Sequence, residues 1–258
     1  MAITSGGTIG SVQDKTAGTS FALTTSAQLA AGQIGIIAVA KDNTATSDGN
    51  TSEVTSITDG SSNSYVLLRE FCNAQSGSNA GATISLWRTR ARTTLASGGT
   101  ITINLAASKT AKAASIWAFN VGTNMTLQLI GTGQDLANDG ADPGSMTISG
   151  LASQEYLFVR AIAGESDNTN DLVGTLLYTT ITPNQTSGNP VASNMGVRGE
   201  FHVLTGTGDT SDPLWTSFSG DAASVYVALV EAPVVPPAFM MAGRANQHEL
   251  LQYTVRAF

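Results

Sequence analysis

The chain has 258 residues, of which 41% are hydrophobic and only 12% are charged, and its formal net charge is −7 at pH 7. This length fits one large all-β domain or two small ones, and the scarcity of Glu and Lys argues against an α-rich fold. The acidic balance disfavours nucleic acid as the main partner, because phosphate binding needs a basic surface. The one cysteine, Cys72, excludes an internal disulfide and is expected to be a buried, unreactive thiol.

No apolar run reaches the roughly 18 residues of a membrane span, so no membrane contact is expected. The first residues carry neither the basic nor the apolar region of a secretion signal. We therefore expect a protein that is made in a cytoplasm and is not exported by the general route.

The first half of the chain is predicted to consist of β-strands joined by polar turns. Residues 1–18 are rich in Gly, Ser and Thr and predict an extended arm or one short edge strand. Thr19–Thr25 alternates apolar and polar side chains, as half-buried strands do, and the apolar segment Gln33–Lys41 predicts a central strand buried on both faces. Further strands are predicted at Val54–Ile57, Tyr65–Cys72, Thr83–Arg92, Thr100–Ala106, Ala113–Val121 and Thr126–Gly131.

The second half repeats this organisation. Ala113–Val121 has a counterpart in Ala223–Val230, because both contain Ala-Ser followed by a β-branched and then an aromatic residue. Glu155–Ala163 is likewise the counterpart of Gln33–Lys41. The sequence therefore predicts two similar half-chains. The other strands of the second half are predicted at Met146–Ile148, Thr175–Ile181, Gly196–Leu204, Leu214–Phe218 and Ala223–Glu231.

About twelve strands with Gly, Asn and Asp turns, and no sustained helical period before residue 238, predict a β-sandwich or a barrel. Several segments of this series have a recognisable order: Val54–Tyr65, Ser85–Arg88, Thr100–Ile103, Ala114–Gly122, Gly131–Asp142, Met146–Ile148, Tyr156–Val159 and Trp215–Glu231. The series resembles a β-sandwich module of tailed-phage virion proteins, over about residues 19–232. In phages such modules decorate or cement capsids, or belong to tail fibres and minor tail proteins. The same module also occurs in large bacterial surface proteins, which would normally show an export signal or flanking repeats.

The fold that we expect is all-β, an antiparallel two-sheet β-sandwich of jelly-roll-like type over residues 19–232. Residues 1–18 form an N-terminal arm. Residues 233–258 form a Pro-rich linker and a short extended attachment tail, since about twenty residues cannot make a core of their own. The tail either packs back on the sandwich or docks on a neighbour, and we expect a neighbour.

No catalytic set is predicted in the sequence. A nucleophile needs a neighbouring base, and the two histidines are His202, which is expected to be structural, and His248 in the tail. No cofactor is expected. A calcium ion is the one candidate metal, because Asp135, Asp139 and Asp142 share a Gly- and Asn-rich loop, although Asp beside Gly or Pro is also ordinary turn chemistry. Trp87, Trp117 and Trp215 could form a sugar-binding platform, but packing in the core is expected of them.

Two features predict contacts between subunits. Arg88, Arg90 and Arg92 share one face of a strand, where they either form a solvated face that discourages edge pairing or contact an acidic neighbour such as another copy. The second feature is the apolar part of the tail. Its predicted contact residues are Phe239, Met240, Met241, Leu250, Leu251, Tyr253, Val255 and Phe258.

The resemblance implies a non-enzymatic structural protein of a bacteriophage virion, made in the host cytoplasm. A head decoration, cement or minor capsid protein is the expected role, with major capsid or tail proteins and sister copies in a homo-oligomer as partners. The alternatives are a tail fibre or minor tail protein, and a carbohydrate-binding adhesin module. The adhesin would bind a host glycan through the loops Asp42–Asn50, Gln134–Pro143 and Glu165–Asp171. A hydrolase on the same scaffold is the least favoured interpretation.

Overall fold

The computed structural model describes residues 2–43, 47–49, 52–74, 81–138, 143–165, 172–181, 183–187, 194–215 and 220–234, with the backbone alone at Leu172 and Trp215. These residues contain eighteen β-strands and no helix. Every strand pairing among them is antiparallel. The predicted all-β, antiparallel sandwich is therefore confirmed.

The first half of the chain forms two sheets. Its strands are β1 (Thr4–Asp14), β2 (Gly18–Thr24), β3 (Ile34–Asn43), β4 (Val54–Asp59), β5 (Tyr65–Cys72), β6 (Gly81–Arg90), β7 (Thr100–Lys109) and β8 (Lys112–Asn120). Sheet A has the order β1-β8-β3-β6-β5, and sheet B has the order β2-β7-β4. Consecutive strands alternate between the two sheets from β1 to β5 and again from β6 to β8, as they do in Greek-key sandwiches.

The second half forms a third large sheet and two small ones. Its strands are β9 (Met125–Asn138), β10 (Met146–Ile148), β11 (Gln154–Gly164), β12 (Leu172–Val173), β13 (Thr179–Thr180), β14 (Asn184–Gln185), β15 (Gly196–Gly206), β16 (Asp209–Ser211), β17 (Leu214–Trp215) and β18 (Ala222–Pro233). Sheet C has the order β13-β15-β11-β18-β9, with β14 also paired to β15. The small sheets are β10-β16 and β12-β17.

Sheet A lies between sheets B and C and is buried on both faces. One core cluster joins it to sheet B and includes Ile37, Ile103 and Ile116. The other joins it to sheet C and includes Ile84 and Val227. The sequence predicted two sheets, and the stack is deeper because strands that are apolar on both faces need cover on both.

The two pairs of strands that the sequence identified as counterparts occupy equivalent places. β3 pairs with β8 at the centre of sheet A, and β11 pairs with β18 at the centre of sheet C. All ten residues of β3 are buried, as the apolar segment Gln33–Lys41 predicts. The repeated segments thus form the central pairs of two sheets that face each other.

Strand pairing in the first half is nested. β1 pairs with β8, β2 with β7, and β3 with β6, which is the pattern of a long hairpin rolled into a jelly roll. β5 departs from the pattern, because it pairs with β6 in sheet A. The jelly-roll connectivity of the whole sandwich stays a prediction.

The stack of sheets has two ends, which we call the Met125 end and the Asn138 end after the first and last residues of β9. The Met125 end carries the first residues of β1, the last of β8 and the last of β18, since Thr4 pairs with Asn120 and Pro233 with Met125. The Asn138 end carries the last residues of β3 and β11. Where the sequence predicts an arm or a short edge strand in residues 1–18, the structure has the edge strand β1, 11 residues long.

Candidate functional site

The three arginines predicted on one strand face line a single groove. Arg88 and Arg90 alternate at the end of β6, on the face that carries Leu86 and looks towards sheet C. The strand ends at Arg90, and Arg92 lies two residues beyond it rather than on the strand as predicted. The groove has a volume of about 230 Å³. We call it the Arg groove, and its lining residues are Ser64, Val66, Arg88, Arg90, Arg92, Thr126 and Val234.

The described part of the chain does not neutralise these guanidinium groups. No ion pair within it involves Arg88, Arg90 or Arg92. Arg90 donates from Nε to the carbonyl oxygen of Met125 at 3.0 Å, which bridges sheets A and C. Desolvation by burial lowers the pKa of Arg88, but a guanidinium stays protonated at neutral pH. The groove therefore presents concentrated positive charge on an acidic protein.

Both ends of the described chain reach the same end of the molecule as the Arg groove. The amide of Ile3 donates to Glu155 Oε1 at 2.7 Å, next to the start of β11. At the other terminus, the amide of Val234 donates to the carbonyl oxygen of Asn124 at 2.8 Å. Val234 also lines the Arg groove, so the C-terminal tail begins at the wall of the groove. The tail residues predicted as contacts, from Phe239 to Phe258, lie outside the described residues.

An acidic cleft lies beside the Arg groove at the Met125 end. Its volume is about 450 Å³, and we call it the Glu cleft after Glu155 and Glu231. Each carboxylate accepts one backbone amide through Oε1. Glu231 accepts the amide of Gly122 at 2.6 Å, and Glu155 accepts that of Ile3. Neither forms an ion pair with a described residue. The lining residues are Ala2, Met125, Gln154, Glu155, Val230 and Glu231.

The predicted calcium ligands are only partly visible. Asp135 forms an ion pair with Arg69, which ties sheet C to the edge strand β5, whereas Asp139 and Asp142 lie outside the described residues. Within the described ranges, no group of three His, Cys, Asp or Glu side chains could hold a metal ion. Calcium binding by this loop stays a prediction.

The sequence did not reveal a buried charged cluster at the Asn138 end. Lys41 is fully buried, and its ammonium lies 2.8 Å from Glu53 Oε2. Glu70 accepts the backbone amides of Glu53 and Val54 at 2.7 and 3.1 Å, and desolvation raises its pKa. The sequence places these acids singly at strand edges, and only the stacking of sheet A on sheet B brings them together.

A second polar network surrounds His202, which the sequence predicts to be structural. His202 Nδ1 lies 2.7 Å from Asp209 Oδ2, and Tyr178 donates to the same oxygen at 2.8 Å. The hydroxyls of Tyr178 and Tyr226 are 2.6 Å apart, and burial raises the pKa of both. The network ties β15, β16 and β18 together on the outer face of sheet C.

The tryptophans whose side chains are described belong to the core. Trp87 is 7% exposed in the cluster between sheets A and B, and Trp117 is 2% exposed in the cluster between sheets A and C. They lie on opposite faces of sheet A and form no common platform. Cys72 is also fully buried, as expected, with its Sγ 3.1 Å from Thr83 Oγ1.

Comparison with known proteins identifies no relative: no family model, curated protein or solved structure matches this chain. Among the described residues, there is no helix long and apolar enough to cross a membrane. The resemblance to phage virion modules rests on the strand and turn series of the sequence, and it stays a prediction.

Proposed function

We propose that this chain is a non-enzymatic structural protein of a phage virion, a head decoration, cement or minor capsid protein. It is held on neighbouring subunits by the Met125 end of its sandwich. The proposal is supported by the strand series of the sequence and by the placement of both ends of the described chain at one end of the sandwich. Its mechanism is adhesion, in which apolar side chains of the tail and polar groups of the Met125 end are buried against a neighbour.

The observation that carries the proposal is the shared location of β1, the exit at Val234 and the Arg groove. An attachment end needs chain segments that can reach out and a surface that can receive a partner. The Met125 end combines both, because Val234 lines the groove and leads into Pro236 and Pro237. Pro-rich linkers are typically extended, so a linker of this composition suits a tail that reaches a neighbour.

The test is to delete residues 238–258 and measure how much protein remains on purified phage particles by quantitative mass spectrometry. We expect occupancy to fall at least about tenfold, because the apolar contact residues of the tail are removed. A variant that keeps the tail but carries T16E, at an exposed position of the Asn138 end, serves as control and should bind normally. Occupancy of the truncated protein at the wild-type level would contradict the proposal, as would the absence of the full chain from particles.

A second candidate function, a host-glycan-binding adhesin, is favoured by one observation. The strand ends next to the three predicted loops lie together at the Asn138 end, at Asn43, Asn138 and Gly164. A protein attached by one end would present the opposite end to a ligand. We expect such a protein to bind sugars on a glycan array with or without Ca²⁺, and an array without hits would remove this candidate.

A further inference from the structure

The Arg groove and the Glu cleft lie next to each other along one rim of the interface between sheets A and C. Arg90 lines the groove and bonds to the carbonyl oxygen of Met125, and Met125 in turn lines the Glu cleft. Positive charge therefore occupies one side of Met125, and the carboxylates of Glu155 and Glu231 occupy the other. The rim is a short row of charges that changes sign in its middle.

We infer that this rim is a self-association surface, at which two copies of the chain meet end to end about a two-fold axis. The Arg groove of each copy then receives the Glu cleft of the other. A row that is positive on one side and negative on the other is complementary to its own image after a rotation of 180°, as an isologous contact requires. The inference rests on the proposed function only in taking the Met125 end as the end that binds neighbours.

The side chains on both sides of the rim are available for such a contact. The guanidinium groups have no carboxylate partner in the described part of the chain. Glu155 and Glu231 use only Oε1 in the hydrogen bonds that the structure records, so Oε2 of each can accept from a guanidinium. Arginine forms the strongest and most directional pairs with carboxylates.

Charge favours a second copy over the chain's own tail as the occupant of the Arg groove. Residues 238–258 contain Arg244 and Arg256 but only one acidic residue, Glu249. The tail side chains therefore carry no net negative charge that could neutralise three arginines. The Glu cleft provides two carboxylates on a rigid surface, and each is already oriented by a backbone amide.

The test uses the full chain and sedimentation equilibrium at concentrations between about 1 and 200 µM, the range expected for a small polar interface. The wild-type chain should form a dimer. R88E/R92E and E155K/E231K should each dimerise at least about 100-fold more weakly, because like charges then face each other. An equimolar mixture of the two variants should dimerise again, since every reversed group meets a reversed partner.

Two further sets of variants control for the change in net charge and for variants that do not fold. T16E/A17E/A107E/S108E lowers the net charge by the same amount as R88E/R92E, but at exposed positions of the Asn138 end, and should dimerise like the wild type. If a reversal variant does not fold, R88Q/R92Q and E155Q/E231Q replace it. Glutamine still accepts the amides of Ile3 and Gly122, and each of these pairs should weaken the dimer at least about tenfold. Mixing the two glutamine variants should restore the dimer only in part, because one of the two contacts of the mixed dimer keeps its arginines and carboxylates.

A wild-type chain that is monomeric throughout this range overturns the inference, and so does a dimer that these substitutions leave unchanged. Either result leaves the proposed function standing if the chain still occupies particles through its tail. Restoration of the dimer in the mixture supports the inference, even where deletion of the tail has no effect on particles.

Discussion

At the residue scale, the two ends of the molecule differ in how deeply their charged side chains are buried. At the Met125 end, the arginines remain partly exposed and are free to meet a partner. At the Asn138 end, Lys41 is enclosed and paired with Glu53 at 2.8 Å.

Asp42, which follows Lys41 in the chain, is only 7% exposed. It accepts the amide of Ala111 at 3.1 Å through Oδ2, whereas Oδ1 has no hydrogen-bond partner among the described residues. Desolvation raises the pKa of Asp42 from 3.8 to about 6.

The substitution D42N tests this shift through the pH dependence of stability. The folded pKa lies above the unfolded value, so neutral Asp42 favours the folded state at low pH, and this contribution is lost as the pH rises through about 6. Between pH 4 and 7, the unfolding free energy of the wild type should fall by about 2 kcal/mol more than that of D42N. Urea denaturation at both pH values measures the difference. D48N, which removes an exposed carboxylate at the same end, is the control. If the unfolding free energy of D42N falls between pH 4 and 7 as much as that of the wild type, Asp42 is not buried as described.

At the element scale, the apolar contact between sheets A and C unites the two halves of the chain. β6 contributes Ile84 and Leu86 to this contact, and β18 contributes Val225 and Val227.

Pairing of another sheet with the edge strand β9 is hindered by a bulge. β9 bulges where Gly131 and Gly133 adopt φ values of +67° and +69°, and bulged edges resist pairing with another sheet. The faces of the large sheets therefore hold the fold, and the β9 edge of sheet C is unfavourable for pairing with another sheet.

The substitution I84A measures the strength of the contact between sheets A and C. Removing a fully buried Ile side chain should lower the unfolding free energy by about 2–5 kcal/mol, because a cavity opens where both sheets meet. V66A on the neighbouring strand is the matched control, since Val66 is 49% exposed, and it should cost about 0.5 kcal/mol. Guanidinium denaturation compares the two. Equal losses would mean that Ile84 does not face sheet C.

At the scale of the whole molecule, the two half-chains share one continuous core. The cluster between sheets A and C draws residues from both halves, including Trp117 from the first and Leu157 from the second. Neither half can bury this face alone, so we expect the chain to unfold as one unit. Scanning calorimetry should give a single transition whose calorimetric and van't Hoff enthalpies agree. A protein truncated after residue 234 should melt in the same way, and two resolved transitions would contradict the shared core.

Sequence patterns alone predict the all-β class, most of the long strands and the correspondence between β3-β8 and β11-β18, although β1 and β9 are longer than predicted. These features follow from local patterns, because alternation, apolar segments and Gly or Asn turns each act over a few residues. The sequence also predicted Arg88, Arg90 and Arg92 on one face, since side chains repeat every two residues along a strand.

Which strands and faces pack against each other is known only from the folded structure. That sheet A is covered on both faces, that Lys41 is enclosed with Glu53 and Glu70, and that His202 contacts Asp209 depend on strands far apart in the chain. The same holds for the Glu cleft, in which Glu155 and Glu231 come from β11 and β18 and lie beside an arginine groove built on β6. Partners across sheets are chosen by the packing of whole faces, and no local pattern in the sequence records which faces will meet.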